Sequence, residues 1–144
     1  MLDVIAPIWI IEDSDEDFEV IVWSFDTLSI KYPLVRLTRS EELLAMLTTD
    51  YDLSSLQTKF PRLILLDLNL PGLGGREILR QLKSSDLYAQ VPVVVLSTSN
   101  NPRDIQACYR LGASGFICKP LGLDAFLAKI KALAQYWFEA VELP

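Results

Sequence analysis

The stretch 63–72 constrains the fold of this chain more than any other part of the sequence. It contains four consecutive aliphatic residues, the carboxylate Asp67, and a breaker pair, Pro71 and Gly72. A short apolar run that is preceded by Pro61 and followed by such a pair is typical of a strand buried on both faces of a parallel sheet. Asp67 would then lie at the carboxyl end of a central strand, where open α/β sheets bind their ligands. Alternatively, its carboxylate only caps nearby backbone N–H groups.

The rest of the chain predicts four more strands that alternate with helices. Short apolar runs predict strands over 8–11, 34–37, 91–96 and 116–118. Apolar residues at helical spacing, together with capping residues and glycines, predict helices over about 18–28, 40–47, 74–82, 101–112 and 123–138. The polar segment 48–60 is long for an α/β connection, so we expect an insertion there. The pattern predicts a (βα)5 flavodoxin-like three-layer sandwich with a central parallel five-stranded sheet in the order 2-1-3-4-5.

Composition disfavours several classes of function. The 144 residues suffice for one domain, and no apolar run approaches the length of a membrane span. The net charge of −6, with scattered lysines and arginines, disfavours nucleic acid and anionic membranes as partners. The lack of histidine removes His-based triads, His metal sites and any phosphohistidine in this chain. Cys108 and Cys118 have no metal-binding or redox spacing, which indicates reduced cysteines in a cytoplasmic protein.

Polar side chains follow four of the predicted strands. Glu12 and Asp13 follow the first, Asp67 ends the third, Ser97 ends the fourth, and Lys119 follows the fifth. Because the carboxyl ends of parallel strands share one edge of a sheet, we expect these side chains to meet. Three carboxylates about 5 Å apart would repel by about 3 kcal/mol per pair at an effective dielectric constant of 20. Either one pKa is then raised or a divalent cation binds among them, and hard oxygen ligands favour Mg²⁺.

Such a site can carry phosphoryl chemistry. A carboxylate beside Mg²⁺ can attack phosphorus and form an acyl phosphate. The Lys119 ammonium can pair with one phosphoryl oxygen, and the Ser97 hydroxyl can donate to another. Taken singly, Ser97 could cap a turn and Lys119 could be a surface cation. Because both residues lie at the same predicted edge of the sheet as the acidic residues, a functional cluster is favoured.

Five motifs give the chain a resemblance to the receiver domains of two-component response regulators. They are the segments 11–13, 66–72, 95–97, 112–116 and 119–120, and the resemblance covers essentially the whole chain. It implies that Asp67 accepts a phosphoryl group from the phosphohistidine of a partner sensor histidine kinase. It also implies that Glu12, Asp13, Asp67 and the Asn69 carbonyl hold Mg²⁺.

The same resemblance assigns roles to residues near the ends of the fourth and fifth strands. It implies that Lys119 contacts the phosphoryl group, that Ser97 and Phe116 reorient on activation, and that Ser99 and Asn69 tune hydrolysis. It further implies a cis peptide bond between Lys119 and Pro120, which would aim the lysine inward. Two positions depart from the common pattern. Glu12 stands where aspartate is frequent, and Phe116 lacks the hydroxyl of a tyrosine.

A narrower resemblance concerns the insertion 48–60 and the end of the chain, 136–144. Both resemble small receivers that are paired with bacterial, notably cyanobacterial, phytochrome kinases. The resemblance implies a single receiver domain over 1–144, with a core of about 5–134, a C-terminal extension over 135–144 and no output domain. Such a protein is a phosphoacceptor with self-catalysed phosphorylation and dephosphorylation, and it is not an enzyme that turns over a separate substrate.

Three alternative functions remain open. A haloacid-type phosphatase also uses a nucleophilic aspartate after a strand, but its second acid would fall at Asn69. A flavin-binding module would need a hydroxyl- and glycine-rich phosphate loop where Glu12 and Asp13 stand. An unphosphorylated receiver-like scaffold would need none of the site residues.

The acidic block 13–17 has explanations of its own. Asp15, Glu16 and Asp17 are explained by helix-start chemistry, because Ser14 and Asp17 have the capping-box spacing and acids suit a helix N-terminus. The block also resembles the start of a Ca²⁺ loop. That loop would need glycine at Phe18 and a bidentate glutamate at 24, where serine stands.

The last predicted helix suggests self-association. Its main apolar stripe comprises Phe126, Ile130, Leu133 and Trp137, and a second stripe comprises Leu123, Leu127, Ala134 and Phe138. A small domain with a single sheet leaves the second stripe available for a partner. Since receivers commonly pair through helix 4, strand 5 and helix 5, we predict a homodimer there, with the C-terminal tail and Leu123, Leu127 and Phe138 in the interface. Alternatively, helix 4 or the tail covers this stripe within one chain.

Overall fold

A computed structural model of the protein describes residues 5–48 and 60–144. The strands are β1 (Ile8–Ile11), β2 (Leu34–Leu37), β3 (Leu63–Asp67), β4 (Val93–Ser97) and β5 (Gly115–Cys118). The helices are α1 (Asp15–Thr27), α2 (Ser40–Thr48), α3 (Gly74–Ser84), α4 (Pro102–Arg110) and α5 (Leu123–Ala134), and a π-helical segment, Gln135–Ala140, follows α5. The predicted insertion 48–60 lies almost entirely outside the described residues.

All strand pairs are parallel, and the sheet order is β2-β1-β3-β4-β5. This confirms the predicted flavodoxin-like architecture. The central strand β3 pairs with β1 on one side and with β4 on the other, and every one of its residues is buried. The register places Ile11 beside Leu66, and Asp67 beside Leu96. The residues that directly follow β1 and end β3 are therefore neighbours.

Alternate residues of the strands pack on opposite faces of the sheet, as a period of two requires. Trp9, Ile11, Ile64 and Leu66 contribute to a core that also contains residues of α2, α3 and α4. Ile8, Ile10, Leu63 and Leu65 contribute to a second core with residues of α1 and α5. The continuous aliphatic runs reflect this two-sided burial. None of the described helices is both long and apolar enough to cross a membrane.

Two elements end differently from the prediction. β4 begins at Val93 rather than at Val91, because the N–H of Val91 donates to the Tyr88 carbonyl in a turn and Pro92 has no N–H to donate. The last helix is α-helical only to Ala134. Beyond it the backbone widens to a π-helix, in which the N–H of Val141 donates to the carbonyl of Tyr136, five residues earlier, at 3.1 Å.

Candidate functional site

The carboxyl edge of the sheet brings together the side chains that follow or end β1, β3, β4 and β5. Backbone hydrogen bonds continue past the strands at two points. The N–H of Glu12 donates to the carbonyl of Leu37 at 3.0 Å, and the N–H of Lys119 donates to the carbonyl of Ser97 at 2.7 Å. Both residues are therefore fixed as continuations of the sheet rather than as free loop positions.

Three carboxylates meet at this edge. Glu12, Asp13 and Asp67 each offer an oxygen, and these oxygens lie within 4.8 Å of one another. Glu12 and Asp67 are buried, whereas Asp13 is exposed. Burial, followed by the hydrogen bond with Asp67, raises the pKa of Glu12 to about 8, against the opposing effect of Lys119. The cluster is therefore costly to ionise without a further cation.

The donor set fits a hard divalent cation. Among the described residues, the Oε2 atom of Glu12 is buried and no N–H group donates to it, so this oxygen is available as a metal ligand. Two more carboxylates lie within reach, and one of them, on Asp13, faces solvent that can complete an octahedral shell. Asn69 lies next to the cluster, since its N–H donates to Oδ1 of Asp67 at 3.2 Å. These residues would hold Mg²⁺ through oxygen atoms alone.

Lys119 lies inside the cluster, with a side chain only 9% exposed. Its Nζ donates to Oε1 of Glu12 at 2.7 Å and to Oδ2 of Asp17 at 3.0 Å, and it lies 3.7 Å from Oδ1 of Asp67. Burial alone would lower the pKa of Lys119. The hydrogen bond and charge of Glu12, with further contributions from Asp67 and Asp17, raise that pKa overall. The lysine therefore remains a cation beside Asp67.

The predicted cis peptide bond between Lys119 and Pro120 is wrong, because the part of the chain that the structure describes has only trans peptide bonds. The trans form is the lower-energy isomer of an X–Pro bond. Lys119 reaches inward without the cis form, since its backbone is hydrogen-bonded to Ser97 and its side chain extends along the sheet edge to Glu12.

Asp17 has a role beyond helix capping. Its N–H donates to Oγ of Ser14 at 3.2 Å, as the capping pattern predicts. Its carboxylate also forms the ion pair with Lys119, which helix-start chemistry does not explain. No spacing in the sequence signals this contact, because Asp17 and Lys119 are 102 positions apart.

Ser97 is fully buried, and its Oγ accepts the N–H of Ser99 at 3.1 Å. The Ser99 hydroxyl donates to Oδ2 of Asp104 at 2.5 Å, and Asp104 is also paired with Arg76 of α3. The loop after β4 is thereby joined to α4 and α3 beside a cavity of about 290 Å³ that reaches Asn69 and Ser97. Phe116 on β5 is half-buried against the core beneath α2, α3 and α4.

The three predicted interface residues have different surroundings. Leu123 is 55% exposed and Leu127 is half-buried. Phe138 is half-buried against its own chain, with its ring centroid 4.7 Å from that of Tyr32. Within the described residues, Phe138 at the end of the second apolar stripe therefore packs on Tyr32 of its own chain, and the exposed part of that stripe lies at the start of α5.

Comparison with known proteins agrees with this fold and geometry. Residues 8–131 match the model of the response regulator receiver domain. The response regulator Rcp1 of Synechocystis sp. is 33% identical over 137 residues, which are 95% of this chain and 92% of that relative.

Two solved structures have the same fold over nearly their whole length. The phosphorylated cyanobacterial phytochrome response regulator RcpA superposes with a TM-score of 0.85 at 32% identity, over 96% of this chain and 98% of the other. The Mn²⁺-bound form of Rcp1 superposes with a TM-score of 0.84 at 32% identity, over 96% and 99% of the two chains. Since the family match spans most of the chain and the relative exceeds 30% identity, this protein belongs to the response regulator receiver family.

Proposed function

We propose that this receiver domain accepts a phosphoryl group on Asp67 from the phosphohistidine of a sensor histidine kinase, with Mg²⁺ held by Glu12, Asp13, Asp67 and the Asn69 carbonyl. One observation carries the proposal. Three carboxylates converge within 4.8 Å, and the Lys119 ammonium lies 3.7 Å from the buried Asp67. A purely structural role of Asp67 gives no reason for such a cluster in the sheet interior.

The side chains suit an in-line phosphoryl transfer. An oxygen of Asp67 attacks phosphorus, the bond from phosphorus to the histidine nitrogen breaks, and the nitrogen keeps the electron pair. Bound Mg²⁺ would supply positive charge to the carboxylates and the phosphoryl oxygens. Lys119 can move its ammonium from Asp17 to a phosphoryl oxygen, and Ser97 can donate its hydroxyl proton to another once it turns.

Hydrolysis would return the site to its starting state. Water attacks phosphorus, the bond to the Asp67 oxygen breaks, and inorganic phosphate leaves. The carboxylate is regenerated in the same protein, so the domain catalyses its own phosphorylation and dephosphorylation and is not a classical enzyme with a separate substrate. The haloacid-type phosphatase mechanism lacks its second acid, because Asn69 stands two residues after Asp67.

The kinase partner is of the phytochrome type. The support is the likeness to RcpA, which is a cyanobacterial phytochrome response regulator, over nearly the full length of both chains. Likewise, the existence of a Mn²⁺-bound form of Rcp1 supports the binding of a divalent cation by this chain. Phosphotransfer from a phytochrome kinase that is faster than from an unrelated histidine kinase would support this pairing, and the reverse order would contradict it.

The acceptor residue can be tested directly with Mg²⁺, acetyl phosphate and intact-protein mass spectrometry. We expect one added phosphoryl group on the wild type and none on Asp67→Asn. Asp86→Asn is the matched control, since it removes an exposed carboxylate from the loop between α3 and β4, at the opposite edge of the sheet from the site. Full modification of Asp67→Asn would place the nucleophile elsewhere. An unmodified wild type would favour the scaffold function, and turnover of an added phosphomonoester would favour the phosphatase.

We propose further that two copies of the chain associate through α4, β5 and α5. The support is the exposed apolar surface at the start of α5, where Leu121 and Leu123 face solvent. A two-fold arrangement would bury this surface on both copies at once.

A further inference from the structure

Arg36 of β2 binds the loop that carries the candidate metal ligands. Its Nε donates to the backbone carbonyl of Glu12 at 3.1 Å. Its Nη1 forms an ion pair with Oδ1 of Asp15 at 2.7 Å. The guanidinium also lies over the ring of Phe18, 4.7 Å from the ring centroid. Only 22% of the Arg36 side chain is exposed, so the guanidinium is held in one place by contacts on several sides.

These contacts span both ends of the segment from Glu12 to Asp15. The carbonyl of Glu12 belongs to the peptide that joins Glu12 to Asp13, so the bond from Arg36 orients that peptide plane. The two residues that this peptide joins are both candidate ligands. The ion pair with Asp15 fixes the other end of the segment at the first residue of α1. Asp13 itself is exposed.

We propose that Arg36 is a positioning residue for the Mg²⁺ site, because it holds the Glu12–Asp13 peptide in the orientation that directs both carboxylates toward Asp67. This inference rests on the proposed function. Mg²⁺ tolerates little deviation from octahedral geometry, so its affinity depends on how well the ligands are preoriented. Groups that orient metal ligands through hydrogen bonds commonly contribute about tenfold to hundredfold in metal affinity.

Charge alone predicts the opposite result. A guanidinium near a cation site repels the cation, so removing it would tighten Mg²⁺ binding if Arg36 acted only through its charge. Loss of the positioning contacts would instead weaken Mg²⁺ binding. The sign of the change therefore separates the two explanations.

The experiment is calorimetric titration of the full chain with MgCl₂. Arg36→Met removes the donors and the charge but keeps an unbranched side chain against Phe18. Arg36→Lys keeps the charge, but a single ammonium cannot hold both the Glu12 carbonyl and the Asp15 carboxylate. Arg39→Met is the matched control, since it removes one positive charge from an exposed residue three positions away. The initial rate of phosphorylation by acetyl phosphate is measured for each variant at saturating Mg²⁺.

We expect the Kd for Mg²⁺ to rise about tenfold in Arg36→Met and by a smaller factor in Arg36→Lys. Arg39→Met should bind Mg²⁺ as tightly as the wild type or more tightly. Phosphorylation of Arg36→Met should approach the wild-type rate once Mg²⁺ is saturating. An unchanged or lower Kd in Arg36→Met overturns the inference. If that variant does not fold, an unchanged Kd in Arg36→Lys does so. A wild type that binds no Mg²⁺ refutes the proposed function itself.

Discussion

Asp13→Asn tests whether the three carboxylates form one electrostatic unit. With oxygens within 4.8 Å, two ionised carboxylates of the cluster, such as Asp13 and Asp67, would repel by about 3.5 kcal/mol at an effective dielectric constant of 20. Asp13 is exposed, so water reduces its share to about 1 kcal/mol. Removing its charge should therefore stabilise the Mg²⁺-free protein and raise its Tm by about 3 °C for a domain of this size.

The response to Mg²⁺ should change in the opposite direction. At a Mg²⁺ concentration of about 100 times the Kd, linkage stabilises the wild type by about 2.7 kcal/mol, or about 9 °C in Tm. Asp13→Asn loses an anionic ligand. A tenfold weaker affinity would reduce this stabilisation by about 1.3 kcal/mol, or about 4 °C. Asp13→Asn is thus expected to raise the Tm in EDTA and to reduce the increase in Tm that Mg²⁺ produces.

Thermal unfolding followed by circular dichroism, in EDTA and in MgCl₂, measures both effects. Asp17→Asn is the control, because Asp17 contacts Lys119 but does not belong to the cluster of three carboxylates. It should keep most of the gain from Mg²⁺. If Asp13→Asn lowers the Tm in EDTA and keeps the full gain, the carboxylates do not repel one another as the geometry indicates. Equal losses in both variants would mean that the ligands are wrongly assigned.

Three further predictions follow from other features. In EDTA, the unfolding free energy should fall as the pH rises from about 5 to about 8, because Glu12 keeps its proton up to about pH 8 in the folded protein but releases it near 4.5 when unfolded. Urea unfolding should show a weaker pH dependence of this free energy for Glu12→Gln, and an equal slope would contradict the prediction. Gly75→Ala should lower the unfolding free energy, measured by urea unfolding, by more than about 2 kcal/mol, because a Cβ there would lie 2.5 Å from the Cα of Leu68. Gly122→Ala has open space around it and should leave the unfolding free energy nearly unchanged, so equal effects of the two substitutions would refute the clash. If the proposed dimer forms, Leu123→Asp should convert it into a folded monomer that still accepts a phosphoryl group on Asp67. Light scattering that shows the wild type as a monomer at tens of micromolar would refute the interface.

The strands were predictable because their signals are local, and their order followed from the arrangement typical of alternating strands and helices. Each strand is a short aliphatic run with a breaker nearby, as in the stretch from Pro61 to Gly72. Burial on both faces leaves such a run few other structures to adopt. The carboxyl edge then follows from the parallel arrangement, which places Asp67 beside the residues after β1.

The contacts that support the site were not predictable from spacing. Arg36 reaches Glu12 across 24 positions of the chain, and Lys119 reaches Asp17 across 102. Such pairs depend on which side-chain rotamers the packed sheet allows, and they leave no periodic pattern in the sequence. The end of α5 is a similar case, because the change to a π-helix accompanies the packing of Phe138 on Tyr32.

The same burial that makes β1 and β3 easy to recognise also creates the chemistry at their ends. A carboxylate at the end of an edge strand would face water and ionise at little cost, whereas Glu12 and Asp67 continue central strands and are 2% and 6% exposed. Water can offset little of their repulsion there, so the charge must be balanced by Lys119, by a proton or by a divalent cation. A phosphoryl group on Asp67 would add further negative charge. The same cation and Lys119 would then have to pair with the phosphoryl oxygens as well, so phosphorylation would change how the charges at this edge of the sheet are balanced.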